Sequence, residues 1–146
     1  MKNTELLLTV HAVVVRGGMF LVLQRSSHSH FGDSLWELPG GKVAPSSHNL
    51  LTDIEREVRE ETTIEIKIDR LLTINEHRIE KTDKRYPGYR HILLPYLCYD
   101  NEPTNSLKLS DEHDKFRWIT ITDLEKLDFM PCHKEIIREA SSLELL

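Results

Sequence analysis

One segment limits the possible folds of this chain more than any other. From Ser46 or Ser47 to about Thr62, the apolar residues Leu51, Ile54 and Val58 recur at three- and four-residue steps, the spacing of an amphipathic helix of about four turns with a serine as N-cap. At about 100° per residue, Asp53, Glu57, Glu60 and Glu61 share one arc of about 100° beside that apolar stripe. A helix so patterned must lay its stripe on another layer, which brings the carboxylates to the rim of the buried face. Like charges about 4 Å apart repel by roughly 1 kcal/mol in water and about 4 kcal/mol at an effective dielectric near 20, so this crowding raises their pKa values or demands a counter-charge. A divalent cation meets the demand, because hard cations take carboxylate oxygens and Mg2+ binds one or two carboxylates together with substrate phosphates. The same acids also fit a solvated face stitched by pairs such as Glu55 with Arg59. The helix alone leaves both readings open.

The layer that receives the helix is a sheet. Thr9–Val15 is rich in β-branched residues, Arg16-Gly17-Gly18 supplies a turn, and Met19–Leu23 is apolar again, which predicts a β-hairpin. After the polar stretch Ser26–Ser34, the run Leu35–Leu38 predicts a short strand closed by Pro39-Gly40-Gly41. Ile64, Ile66 and Ile68 alternate with polar residues, and the pattern resumes at Leu71–Ile74, as one long strand or a bent pair. Arg78–Arg90 is a polar loop, and His91–Tyr99 a strand whose Pro95 suggests an edge or a bulge. Phe116–Ile119 ends the strands, Thr122-Asp123-Leu124-Glu125 matches a capping box, and Pro131 to about Leu143 forms a terminal helix.

With 146 residues, 39% of them hydrophobic, the chain suffices for one globular domain, residues 1–146, with one sizeable core. No stretch reaches the roughly 18 to 20 apolar residues of a membrane span, and the start lacks the pattern of a secretory leader, so a cytoplasmic address and no membrane partner are expected. Lys+Arg 19 against Asp+Glu 24 gives a net charge of -5, which excludes a broad electrostatic footprint for duplex nucleic acid. Cys98 and Cys132 form no CxxC motif or disulfide framework and read as buried reduced thiols.

What decides between the two readings of the helix is its company. Leu38-Pro39-Gly40-Gly41-Lys42-Val43 precedes it, and Arg56-Glu57-Val58-Arg59-Glu60-Glu61 with Thr62-Thr63-Ile64 completes it. This combination resembles the Nudix family, whose signature runs Gly, five residues, Glu, seven residues, Arg-Glu-apolar-x-Glu-Glu-x-Gly-apolar. Gly41, Arg56, Glu57, Val58, Glu60, Glu61 and Ile64 match it, and the likeness extends over roughly residues 9–127, including Leu21–Arg25 and Ser110-Asp111-Glu112-His113. Three features depart. Fourteen residues separate Gly41 from Arg56 where the signature has thirteen, and Ser46-Ser47-His48-Asn49 stands where its first Glu belongs. The closing Gly is Thr63, and because β-branched residues tolerate positive φ poorly, the helix is expected to end without the usual left-handed cap.

The resemblance implies an α/β fold with a mixed sheet sandwiched between helices, and a Mg2+- or Mn2+-dependent pyrophosphohydrolase acting on a nucleoside diphosphate linked to another group. It implies Glu57 and Glu61 as principal metal ligands, Glu60 as a further or water-mediated ligand, the Gly40 carbonyl as a backbone ligand, and Glu112 as an additional ligand or the base. Arg56 would act in the catalytic group, with Asp53 taking over the partnership of the missing Glu at i,i+3 reach, or His48 filling its space. Arg25 is implied as a contact for substrate phosphate. Tyr86, with Tyr89, is a candidate for stacking a nucleobase, and Lys81, Lys84, Arg85 and Arg90 for a phosphate-attracting lip diluted by Glu80 and Asp83. Trp36 reads as a core or pocket-edge residue, while His28 and His30 receive no role. Relatives of this kind are often homodimers. Two alternatives stand beside the enzyme: a Nudix-like module that senses a nucleotide without cutting it, and an unrelated helix-sheet protein with a charged helix.

Overall fold

The computed structural model describes residues 5–26, 34–101 and 106–144. Its centre is β1 (Leu6–Arg16), the most thoroughly buried strand, and β1 runs parallel to β7 (Arg90–Asp100) in unbroken register from Leu6↔Arg90 to Val15↔Tyr99. The remaining pairings are antiparallel, which makes the sheet mixed. The hairpin partner β2 (Met19–Arg25) meets β1 only at Val15↔Phe20 and Arg16↔Met19. Beyond that turn the two part, and β4 (Gly40–Lys42) pairs with Thr9–His11 of β1, while β3 (Trp36–Glu37) and β8 (His113–Ile119) pair with β2.

Alternation along β1 divides the core into two layers, because successive side chains in a strand point to opposite faces. Val10, Ala12 and Val14 join Leu21, Leu23, Ile54 and Val58 beneath helix α1 (Leu50–Thr62). Val13 and Val15 join Phe20, Val22, Trp36, Ile136, Ile137 and Ala140 beneath helix α2 (His133–Glu144). The expected helix-sheet-helix sandwich is what forms.

Several local expectations are corrected. Helix α1 starts later than Ser46 or Ser47: Asn49 is the N-cap, its side chain accepting the Thr52 N–H at 2.8 Å, while the Ser47 hydroxyl donates to Asp53 instead. At the other end Thr63 takes φ 64°, so the helix closes with the left-handed cap that a threonine was expected to refuse. Its N–H donates to the Arg59 carbonyl at 2.9 Å and its hydroxyl to the Ser106 carbonyl at 3.1 Å, which hold it there. The apolar stripe is also rotated: Leu51 is 46% exposed, and Asp53 and Glu61 are buried beside Ile54 and Val58.

Residues expected as one strand or a bent pair divide into β5 (Ile66–Leu71) and β6 (Asn75–Arg78), both along β7. Pro95 is therefore at no edge. Its carbonyl accepts from Leu72 at 2.8 Å, and since the N and C=O of a strand residue face the same side, its missing donor falls at the break between β5 and β6. The expected capping box at Thr122–Glu125 lies two residues earlier, where Thr120 and Asp123 cap the 3-10 turn Ile121–Lys126. Both cysteines are free, Cys98 buried and Cys132 partly so. Among the described residues no helix is long and apolar enough to cross a membrane. His28 and His30 lie outside the described residues.

Candidate active site

The turn between β3 and β4 is fastened from four sides. Trp36 N–H donates to the Asp128 carbonyl and the Trp36 carbonyl accepts from Met130. Leu38 N–H donates to buried His133 Nδ1 at 2.8 Å, and the Pro39 carbonyl accepts from Ala12 at 2.8 Å. This brings Gly40 and Gly41 against β1 on one side and helix α1 on the other. A Cβ on Gly40 would stand 2.0 Å from the Val10 carbonyl oxygen, and one on Gly41 would stand 2.5 Å from the Glu57 carboxylate. Only glycine leaves that space open.

Glu57 of the helix fills the space at Gly41, and Glu61 meets the backbone of Gly40. Glu61, 4% exposed, receives the Gly40 N–H on Oε1 at 2.8 Å. Burial, then Glu37, Glu57 and Glu112, push its carboxyl well above the ordinary value against that hydrogen bond. Glu57 is raised too, first by burial and then by Glu60 and Glu112, with Arg56 opposing. The turn before β8 contributes Glu112 and the first residue of β8 contributes His113, and one ligand atom from each of Glu61, Glu112 and His113 lies within 4.8 Å of the others. The Glu112 carbonyl accepts the Ser26 N–H at 3.0 Å, which fixes this turn to the end of β2.

Arg56 reaches Glu57 at 3.2 Å, Glu60 at 3.3 Å and Asp53 at 3.7 Å. Asp53 thus lies within ion-pair reach of Arg56 at the expected i,i+3 spacing, and its carboxylate also accepts from Ser47 at 2.8 Å. Glu60 faces water, its side chain 59% exposed, and its nearest cation is Arg56. Arg25 reaches both carboxylate oxygens of Glu37 at 3.2 Å. Tyr86 packs edge-on to Tyr89 and lies under Lys42, whose Nζ is 5.3 Å from the ring centroid, one residue from Gly41. A cleft of about 480 Å3 opens along β8, lined by Trp36, Leu109, Asp114, Lys115, Phe116 and Arg117.

Two members of the cluster were not anticipated. Glu37 is partly shielded, its side chain 13% exposed, and that desolvation alone would raise its pKa, yet the His113 hydrogen bond at 2.9 Å and Arg25 outweigh it and lower the pKa to about 2. His113 has a side chain 1% exposed. A two-residue strand shows no alternation, so nothing local marked Glu37. The only signal was that Trp36 belongs to the core, which turns the next residue to the other face.

The donor set suits a divalent cation: ligand atoms of Glu61, Glu112 and His113 within 4.8 Å of one another, and crowded carboxylates that a cation would relieve. In known proteins, the family model NUDIX domain matches residues 5–140. No curated protein matches the chain. Among solved structures, a MutT protein from Methanosarcina mazei Go1 superposes with TM-score 0.79 at 23% identity, covering 99% of each chain. A C. elegans Ap4A hydrolase binary complex gives 0.75 at 21% identity over 95% of this chain and 98% of that one. The NUDIX domain of Shewanella oneidensis NrtR, complexed with ADP ribose, gives 0.70 at 18% identity over 100% and 91%.

Proposed function

The chain belongs to the Nudix family, and from that premise we propose that it hydrolyses a phosphoanhydride bond in a nucleoside diphosphate linked to a further group, with Mg2+ or Mn2+ as cofactor. The observation that supports this most is the meeting of Glu61 from α1 with Glu112 and His113 at the start of β8, with Glu57 of the same helix filling the space that Gly41 leaves. When bound, the cation supplies positive charge against phosphate oxygens and toward the attacking water.

The residues divide the remaining work. Glu57 and Glu61 hold the cation, with the Gly40 carbonyl and Glu60 as further contacts. The Gly40 N–H orients the Glu61 carboxylate, and Arg56 orients Glu57 and Glu60 while Asp53 anchors Arg56. Glu112, exposed to solvent and next to Glu61, takes the proton from the attacking water or completes the ligand set. Arg25, held in place by Glu37, supplies positive charge toward a substrate phosphate. Tyr86 offers a ring face for the base, and Lys42 beside it a charge.

A second reading, a domain that binds the nucleotide without cleaving it, draws on Ser47 and its neighbours standing where the signature has its first Glu. Assays on nucleoside triphosphates, ADP-ribose, sugar nucleotides and dinucleoside polyphosphates, with and without Mg2+, separate the two. Hydrolysis requires cation-dependent turnover on at least one, and a fall in kcat of at least about a hundredfold in Glu57→Gln and Glu61→Gln. Tight nucleotide binding with no turnover supports the second reading, and near-native turnover in both variants ends the first.

A further inference from the structure

His113 is set up as a ligand rather than as a bystander. Its Nε2 stands 2.9 Å from Glu37 Oε2, and with the carboxylate oxygen accepting there Nε2 carries the hydrogen, which leaves Nδ1 as the nitrogen that can offer a lone pair. Nδ1 is buried and has no hydrogen-bond partner among the described residues. It faces Glu61 Oε2 at 3.7 Å, with Glu112 completing a group within 4.8 Å. Two donors about 2.1 Å from one cation lie roughly 3.0 to 4.2 Å apart, so the Nδ1 to Glu61 gap has the span of a shared ion. Carboxylate, imidazole and metal in that order form the usual outer support of a ligating histidine, since the carboxylate fixes the tautomer and raises the basicity of the free nitrogen. Arg25, within 3.2 Å of both Glu37 oxygens, holds that carboxylate in place.

We propose that His113 Nδ1, together with Glu61 and Glu112, forms a mixed nitrogen-oxygen cation site that favours a borderline transition ion such as Co2+ or Mn2+ over Mg2+. This rests on the reading of the acid cluster beside Gly40 and Gly41 as a divalent-cation centre and adds the ligand that sets its choice. Imidazole nitrogen contributes little to the binding of Mg2+, whereas it strengthens that of first-row transition ions in the Irving–Williams order.

Mn2+ alone, added to the intact protein, is the first probe. Pulsed EPR is expected to show nitrogen modulation whose frequencies change when the protein is grown with 15N-histidine, and to lose it in His113→Gln, which keeps a donor toward Glu37 but no Nδ1. Calorimetric titration with Co2+ and with Mg2+ is expected to show the preference for Co2+ falling about tenfold in the same variant. Absence of histidine nitrogen coupling in the labelled wild-type protein overturns the proposal, and that measurement stands even if the variant fails to fold. Coupling that persists in folded His113→Gln, or an unchanged Co2+ to Mg2+ ratio, overturns it as well. Turnover without a nitrogen signature removes this inference and leaves the hydrolase reading intact, while a nitrogen signature without turnover does the reverse.

Discussion

At the scale of single residues, the site depends on an absence of atoms. Gly41 matters because its missing side chain is where the Glu57 carboxylate lies. Gly41→Ala would put a methyl into the end of a flexible side chain rather than into backbone. It is expected to leave the unfolding free energy in urea within about 1 kcal/mol of wild type, while displacing Glu57 enough to lower kcat by about a hundredfold. An equal loss of stability and turnover would contradict that division. The acids that meet the glycine turn were legible, since Glu57 and Glu61 occupy signature positions and one helical arc, whereas Glu60 on the same arc faces water beside Arg56. Glu37 and His113 were not, because the first sits in a strand too short to show a period, and the second beside the shift in register between Gln24 and Arg25, where alternation is interrupted.

At the scale of elements, α1 shows why a correct helix can be read with the wrong face inward. The sequence pattern groups Leu51 with Ile54 and Val58, but the structure buries Asp53, Ile54, Val58 and Glu61. Rotation toward the acids is stabilised locally, by Gly40 on Glu61 and by Ser47 and Arg56 on Asp53, groups that hydropathy does not weigh. The ends were misread for a related reason: Asn49 rather than a serine caps the start, and long-range contact with Ser106 helps Thr63 adopt a conformation its own shape disfavours. Asn49→Ala removes the acceptor for Thr52 N–H and is expected to lower stability in urea by about 1 kcal/mol. No change would mean that the first turn is held by tertiary packing alone.

For the whole molecule, neutral histidines are part of what holds the α2 layer to the sheet. Burial lowers His11 from 6.5 to about 4, and lowers His91 and His133 to about 3, His11 reinforcing the shift at both. Thr9 Oγ1 lies 2.7 Å from both His11 Nε2 and His91 Nε2, and His133 accepts from Leu38. Because these folded values lie below the unfolded one, the stability they contribute is complete above pH 6.5 and is lost as pH falls toward 3. Glu61, raised in the fold, acts in the opposite sense, its share being lost as pH rises. The contribution of one histidine is therefore read by difference. His133→Asn, which keeps an acceptor for Leu38, is expected to make the fall in unfolding free energy below pH 6.5 shallower by up to about 1.4 kcal/mol per pH unit. Parallel wild-type and variant curves would contradict it. The two-helix sandwich itself was readable from element order, but the pairing at its centre was not, because β1 and β7 join residues that no local pattern connects.

That central pairing has a consequence for biosynthesis. A ribosome exposes Leu6–Arg16 well before Arg90–Asp100, so a nascent chain halted near residue 85 already contains the whole glycine-to-glutamate signature, yet lacks the rail along which its middle strand is laid. Such a chain would carry every acid of the helix and no finished platform to hold them. Assembly of the catalytic pocket is consequently a late event, postponed until translation has delivered the second half.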